Sequence, residues 1–324
     1  MRLVGVTMVR NEVDVIEAFV RHNLTFLDAL WIVDHGSFDG TSEILSQLCA
    51  EGLPMRVRRE EDPAYRQSQI MTALAREALA RDGAHFVLPL DADEFLKVES
   101  RETLEGVLAD IPEGLHAVMR WHTYVPDAFD SARFGPGHLW WRRTPKPRRG
   151  LRKAIVSRAL IDHPVHTLAI GNHFVAGATG SALPHARLRE EAVALAHCPV
   201  RSRWQLEAKI IIGCLAILAA GLDLVQRAPN WGRLYSRLRS GETFDEESLR
   251  EIAANYGTPP KDWRPLSALD LVEDPVHVEA EQRYCREEMR NPLPLLLRFA
   301  EVLVGEEPAH LPDPGATAIR YVTL

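Results

Sequence analysis

Three carboxylates stand together in LPLDADEFL, where Asp91, Asp93 and Glu94 follow the apolar run from His85 to Leu90. Carboxylates gathered at one strand end repel one another and call for a counter-charge. A hard divalent cation, Mg²⁺ or Mn²⁺, supplies it when it bridges them to a diphosphate, since such ions are held by one or two carboxylates plus substrate phosphates. The plainer reading is a solvated strand end with acidic residues leading into a turn, and Asp93 is expected on that polar turn rather than in the core. Two more polar turns follow strands in the same way. VDHGSFDGT offers Asp34 and Asp39 to a base or ribose, with Gly36 and Gly40 letting the backbone approach a ligand; an Asx-rich turn capping a helix has the same composition. VRNE offers Arg10 to a phosphate with Asn11 and Glu12 beside it, although Asn11 also suits a helix cap.

The elements that must position these turns are readable from periodicity. A β-rich run from Leu3 to Met8 precedes a helix in which Ile16, Val20, Leu24 and Leu27 recur at helical spacing. A strand through Trp31 to Val33 precedes a helix that starts near Thr41 and closes at Gly52. MRVRR precedes a helix from Arg66 to Arg81 ended by Gly83, and HFVLPL follows. Four strands separated by helices predict an α/β fold with a mostly parallel sheet and helices on both faces, whose ligands bind at the carboxyl ends of strands. Beyond a helix around Thr103 to Leu108 come β-rich pieces, HAVMRWHTYV, KAIVSRAL and VHTLAIGNHFV, with a long Pro, Gly and Arg segment from Val125 to Gly150 between the first two. From Ser202 onward the chain reads as helical, with breaks at Pro229 and at Pro259 to Pro265, and Glu306 to Pro314 as a loose tail.

Composition excludes several classes. The 324 residues carry a net charge of -7, which gives no long-range attraction for a polyanion and argues against a dedicated nucleic-acid binder. Seven cations are nevertheless concentrated in WWRRTPKPRRGLRKAIV: Arg142, Arg143, Lys146, Arg148, Arg149, Arg152 and Lys153. Such runs are commonly solvated faces; here the run joins two β elements and could close over a diphosphate, with Lys153 the best single candidate. The four cysteines form no CxxC pair, which fits neither a disulfide scaffold nor a zinc ribbon. No export signal is visible, and the apolar stretch Ile210 to Val225 is shorter than the ~20 residues of a membrane span, so a cytoplasmic protein without a transmembrane segment is expected.

Taken together and in order, MVRNEVDVIEAFVRHN, LWIVDHGSFDGTSEIL, LPLDADEFL and AHCPVRSRWQLEAKIIIG resemble the family 2-like glycosyltransferases of the GT-A fold, over roughly residues 3 to 213. The resemblance implies a GT-A, Rossmann-like catalytic and donor-binding domain over 1–200 and a helical extension over 201–324 that builds the acceptor side or a homodimer contact. It implies a metal-dependent, inverting transfer from a nucleotide-diphospho-sugar, with a UDP-sugar the favoured donor, to a saccharide, lipid-linked or other hydroxyl acceptor. Arg10, Asn11, Glu12, Asp34, Ser37, Asp39, Asp91 and Lys153 would bind the donor; Asp91 and Asp93 would hold the metal, with His173 or His197 as later ligands. His35 departs from the Asn or Asp usual in that turn. For the catalytic base Glu94, Asp127 and Asp130 are the candidates. Two other readings carry less: a non-catalytic nucleotide-sugar-binding module on the same fold, and a haloacid-dehalogenase-like phosphatase, whose DxD normally opens its domain.

Overall fold

The computed structural model describes residues 1–126, 128–129, 139–142, 151–189, 191–274, 282–284 and 291–305. Asp127, Asp130, Arg143, Lys146, Arg148, Arg149 and the tail from Glu306 to Pro314 lie outside the described residues.

The first half alternates strand and helix: β1 (Leu3–Val9), α1 (Ile16–Asn23), β2 (Ala29–Asp34), α2 (Thr41–Ala50), β3 (Met55–Arg59), α3 (Gln67–Arg81) and β4 (Phe86–Pro89). These strands lie in the order β3-β2-β1-β4, all parallel, with Val4 opposite Ala29 and Val87. Period-two alternation divides the side chains between the two faces. Leu3, Leu30, Ile32 and Leu88 pack with Phe19, Val20, Ile44 and Leu45 under α1 and α2. Val4, Val6, Trp31, Val33 and Val87 pack with Met71, Leu74, Ala75 and Ala78 of α3 on the opposite face. The α/β architecture with both faces covered is therefore present as expected.

Next come β5 (Glu94–Lys97), α4 (Arg101–Ala109), β6 (His116–Pro126), β7 (Leu139–Arg142), β8 (Arg152–Ser157), α5 (Ala159–Asp162), β9 (Thr167–Leu168), β10 (Val175–Ala176), β11 (His185–Arg187) and β12 (Ala194–His197). The sheet continues antiparallel through β8, β6 and β7 to β13 (Leu271–Glu273), reaching eleven strands among the described residues. Two pairings bring charged residues to the turn after β4. β8 flanks β4, which places Lys153 beside that turn. β12 runs antiparallel to β5 with His197 opposite Glu94, and parallel to β6.

The helical part comprises α6 (Arg203–Ala219), α7 (Leu224–Arg227), α8 (Pro229–Arg239), α9 (Glu246–Asn255) and α10 (Leu293–Val304). It has a small core of its own, in which Leu206, Ile210, Leu234, Leu249 and Ile252 meet Val125 from β6. Among the described residues no helix is long and apolar enough to cross a membrane.

Candidate active site at the strand ends

The turn after β1 is held by the turn after β2. Asn11 sits at φ +58°, a left-handed conformation that Asn tolerates better than most residues. Its backbone N–H donates to Ser37 Oγ at 3.0 Å, while its side-chain Oδ1 accepts from Phe38 N at 2.9 Å. Glu12 N donates to Thr41 Oγ1 and Val13 N to Asp39 Oδ2, at 2.9 and 3.0 Å. Asp34 accepts from Ser37 N at 2.9 Å and also from the Ser42 hydroxyl. Gly40, at φ +108° before α2, takes a conformation closed to a β-carbon. Asp34, Ser37 and Asp39 thus shape the turns; of the three only Asp39 lines the cavity between the strand ends and the helical part. Burial raises the Asp39 carboxyl to about 6 against the hydrogen bonds from Thr41.

Arg10 is equally committed. Its Nε donates to His35 O at 2.5 Å, both terminal nitrogens reach Pro63 O at 3.3 Å, and the Phe299 ring of α10 lies 5.2 Å from the guanidinium. Burial lowers its pKa to about 10. His35, whose Nε2 is 2.6 Å from Asp62 O, is pushed down to about 4 by burial and by the Arg10 charge.

The DADE turn divides into two charge clusters. In the first, Lys153 is fully buried and bonds Asp91 Oδ2 at 2.6 Å and Glu94 Oε1 at 2.8 Å, while Glu94 accepts from Asp91 N at 2.8 Å through its other oxygen. Burial lifts the Glu94 carboxyl to about 8 although Lys153 opposes it; burial disfavours the Lys153 charge, but the two carboxylates outweigh this and keep it protonated. In the second cluster Asp93 meets Lys209 Nζ at 2.5 Å and Arg201 at 3.7 Å, with His197 Nε2 at 3.6 Å. Arg201 also clasps Asp14 at 2.6 Å and Glu12 at 2.5 Å. Burial would raise Asp93, yet the Lys209 and Arg201 charges hold it well below the usual carboxylate range. Burial likewise keeps His197 neutral near pH 7 against the pull of Asp93.

Helix α6 delivers these cations through its cap. Ser202 Oγ accepts from Gln205 N and the Gln205 side chain accepts from Arg201 N, each at 3.1 Å, so Ser202 caps the helix and Arg201 stands just before the cap. Gln205, Ala208, Lys209, Ile212, Gly213 and Ala216, spaced by threes and fours on one face, line a cavity of about 270 Å³. Opposite them stand Arg10, Asn11, Glu12, Asp14, Asp91 and Asp93 at the carboxyl ends of β1 and β4.

Of the residues expected from sequence, Arg10, Asn11, Glu12, Asp39, Asp91, Asp93, His173 and His197 line this cavity. Asp34, Ser37, Glu94 and Lys153 do not. Glu94, offered as the base, has a fully buried carboxyl that pairs with Lys153 behind Asp91 and does not line the cavity. Lys153 is likewise a partner of the two carboxylates rather than a group facing the cavity. Sequence reasoning passed over Asp14, Gln67, Arg201 and Lys209 as site residues; the signal for the last two was the RS and K of AHCPVRSRWQLEAK.

The fit to a divalent cation differs between the two aspartates. Asp91 keeps 31% of its side chain exposed, and its Oδ1 has only long contacts, 3.4 Å to Gln67 and 3.4 Å to Asn172. One such carboxylate, completed by diphosphate oxygens and water, is an ordinary Mg²⁺ or Mn²⁺ arrangement. Asp93, 3% exposed, already has its charge met by Lys209 and Arg201. His173 lines the cavity with Nδ1 on Arg152 O at 2.8 Å, leaving Nε2 as its remaining ring nitrogen. Among the described residues no three His, Cys, Asp or Glu side chains are grouped to cage a metal by themselves.

No family model matches the chain, and no curated protein matches it. Among solved structures it is similar to glucosyl-3-phosphoglycerate synthase from Mycobacterium tuberculosis in complex with phosphoglyceric acid, at 22% identity, covering 37% of this chain and 43% of that one, with a TM-score of 0.25. That synthase is also known in complex with Mn²⁺, UDP and glucosyl-3-phosphoglycerate. Mannose-1-phosphate geranyltransferase from Thermus thermophilus is 13% identical over 79% of this chain and 68% of that one, with a TM-score of 0.29. GalNAc-T7 with UDP, GalNAc and Mn²⁺ is 12% identical over 78% and 57%, with a TM-score of 0.36. The chain spans less than half the length of the mycobacterial synthase.

Proposed function

We propose that the chain is a glycosyltransferase that moves a sugar from a nucleotide-diphospho-sugar, with a UDP-sugar the favoured donor, to a hydroxyl acceptor, inverting the anomeric carbon. The observation that carries this reading is the pairing, in one cavity at the carboxyl ends of parallel strands, of an unspent donor with an open carboxylate. Asn11 Nδ2 is buried without a hydrogen-bond partner, and Asp91 is half-buried a strand away. The cost of leaving a buried amide unpaired is recovered when a ligand carbonyl accepts from it, and a nucleobase offers such carbonyls. Asp91 would hold the ribose or a divalent cation, with His173 or His197 as further contacts to the metal or diphosphate, and Lys153 would fix the orientation of Asp91 from behind. The cation, when bound, would neutralise charge developing on the leaving diphosphate.

In the transfer the acceptor oxygen forms a bond to the anomeric carbon while the bond from that carbon to the diphosphate breaks, its electron pair leaving with the nucleotide. The acceptor proton passes to a general base, for which Asp127 and Asp130 remain the proposed carboxylates. Lys209 and Arg201 would hold Asp93, Glu12 and Asp14 in place around the donor.

Calorimetric titration of UDP with and without Mn²⁺ tests the reading on wild type, Asn11→Asp and Asp91→Asn. Asn11→Asp keeps the oxygen that accepts from Phe38 N but turns the unspent donor into an acceptor; it should weaken UDP by roughly 1.5–3 kcal/mol. Asp91→Asn should abolish the gain in UDP affinity that Mn²⁺ brings. Equal UDP affinity in all three proteins would sink the assignment, whereas tight binding without turnover of any nucleotide sugar would bring forward the non-catalytic module.

A further inference from the structure

The cavity continues beyond the charged turn into an aromatic wall. Trp121 of β6, Trp204 of α6, Trp231 of α8 and Tyr256 after α9 all line it, none fully buried and none exposed. Their placement is tightly built. A β-carbon at Gly213 would stand 2.3 Å from the Trp231 ring, so only glycine there lets the indole lie against α6. Trp231 Nε1 donates to the Tyr256 hydroxyl at 3.0 Å, the Tyr256 and His197 rings are 5.3 Å apart, and His197 and Trp121 are 4.1 Å apart. Two polar atoms within this wall are spent on nothing: Trp121 Nε1 and His197 Nδ1 are buried without a hydrogen-bond partner.

From this wall we infer that the acceptor is a saccharide, bound as a pyranose ring against Trp231 and its aromatic neighbours. This rests on the glycosyl-transfer reading and names the acceptor class it leaves open. Aromatic faces carry negative electrostatic potential and attract the polarised C–H face of a sugar ring, while the ring's hydroxyls project sideways to polar partners. Trp121 Nε1 and His197 Nδ1 are the partners such hydroxyls would satisfy. An alkyl or isoprenoid chain would cover the same rings and leave both atoms unpaired as they are now, whereas a hydroxylated ring would supply the hydrogen bonds they lack. The wall shares its cavity with Asp91, so an acceptor seated there stands next to the proposed donor.

The test is saturation-transfer NMR and calorimetry with methyl α- and β-pyranosides of glucose, galactose and mannose, and with farnesyl phosphate as the apolar probe, each with and without UDP. At least one methyl pyranoside should bind saturably, and Trp231→Ala should weaken it roughly tenfold, the scale of one aromatic contact. Trp204→Ala, on a half-buried side chain, provides a second reading should Trp231→Ala not fold. Binding of farnesyl phosphate alone, binding of no pyranoside, or pyranoside affinity equal in wild type and both variants would overturn the inference. A parallel loss of UDP affinity of the same size in both variants would assign the wall to the donor and overturn it too. Absence of UDP binding in wild type would strike the donor reading instead, and a pyranoside that still needed Trp231 would uphold the saccharide site by itself.

Discussion

Asp91 and Asp93 are two residues apart in one turn, yet their carboxylates do different work. Asp91 leans into the cavity on a single lysine, whereas Asp93 is 3% exposed and stands between Lys209 and Arg201. Removing one partner of a buried ion pair leaves an uncompensated charge and typically costs about 3–5 kcal/mol. Asp93→Asn should therefore destabilise the protein on that scale. Asp91→Asn should cost roughly 1–3 kcal/mol, since Glu94 still holds Lys153. Urea unfolding of the two variants checks the order, and an Asp93→Asn variant as stable as wild type would contradict it. The expectation that Asp93 lies on a polar turn outside the core is corrected here: the turn is polar, but α6 closes over it.

At the scale of elements, β2 and β6 carry histidines that fold in the neutral form. His35 after β2, and His116 and His122 on β6, are each pushed down to about 4, chiefly by burial. Because the unfolded chain binds a proton near pH 6.5 and the folded one does not, each contributes stability that is present above pH 6.5. That stability is lost as pH falls toward 4, by up to roughly 3 kcal/mol per histidine. Asp39 and Glu94, with raised values of about 6 and about 8, work in the opposite sense, so the histidines are best isolated by difference. Wild type should lose more stability than His116→Gln between pH 7 and pH 5 in urea titrations; parallel curves would remove His116 from the account.

For the whole molecule, the helical part meets the sheet around the cavity and through a core in which Val125, Phe129 and Val200 pack with α6, α8 and α9. Phe299 of α10 packs with Ala208, Ile212 and Ala216 of α6 and lies over Arg10 from the sheet edge. Phe299→Ala should cost about 3–5 kcal/mol at that contact. The loss should appear first as local opening, because Phe299 and Leu295 are the only buried side chains of α10, with Leu296 and Leu303 packing from its half-exposed sides. Hydrogen exchange should quicken in α10 while the amides of β1, β2 and β4 stay protected. Uniform loss of protection across the sheet would mean that α10 and the sheet unfold as one unit.

The amino-acid sequence determined the four strands and three helices of the first half, because the short apolar, β-rich runs of β1 and β2 and the helical spacing in α1 are local patterns that need no partner to be seen. It also marked the polar turns at Asn11, Asp34 and Asp91 as one edge of a parallel sheet. It could not tell a ligand-facing carboxylate from one spent on the protein: Asp34 and Asp39 read alike, yet Asp34 bonds turn residues away from the cavity while Asp39 lines it. The counter-charge that LPLDADEFL demanded pointed to a metal in sequence alone, but Lys153 arrives from β8 and Lys209 and Arg201 from α6 and its cap. The lysine pairings, across 62 and 116 positions, are set by β8 lying beside β4 and by α6 crossing the strand ends, and no local pattern records them. The aromatic wall had the same fate, since Trp121, Trp231 and Tyr256 are scattered through the chain and meet only where α6, with glycine at position 213, lets an indole approach its backbone.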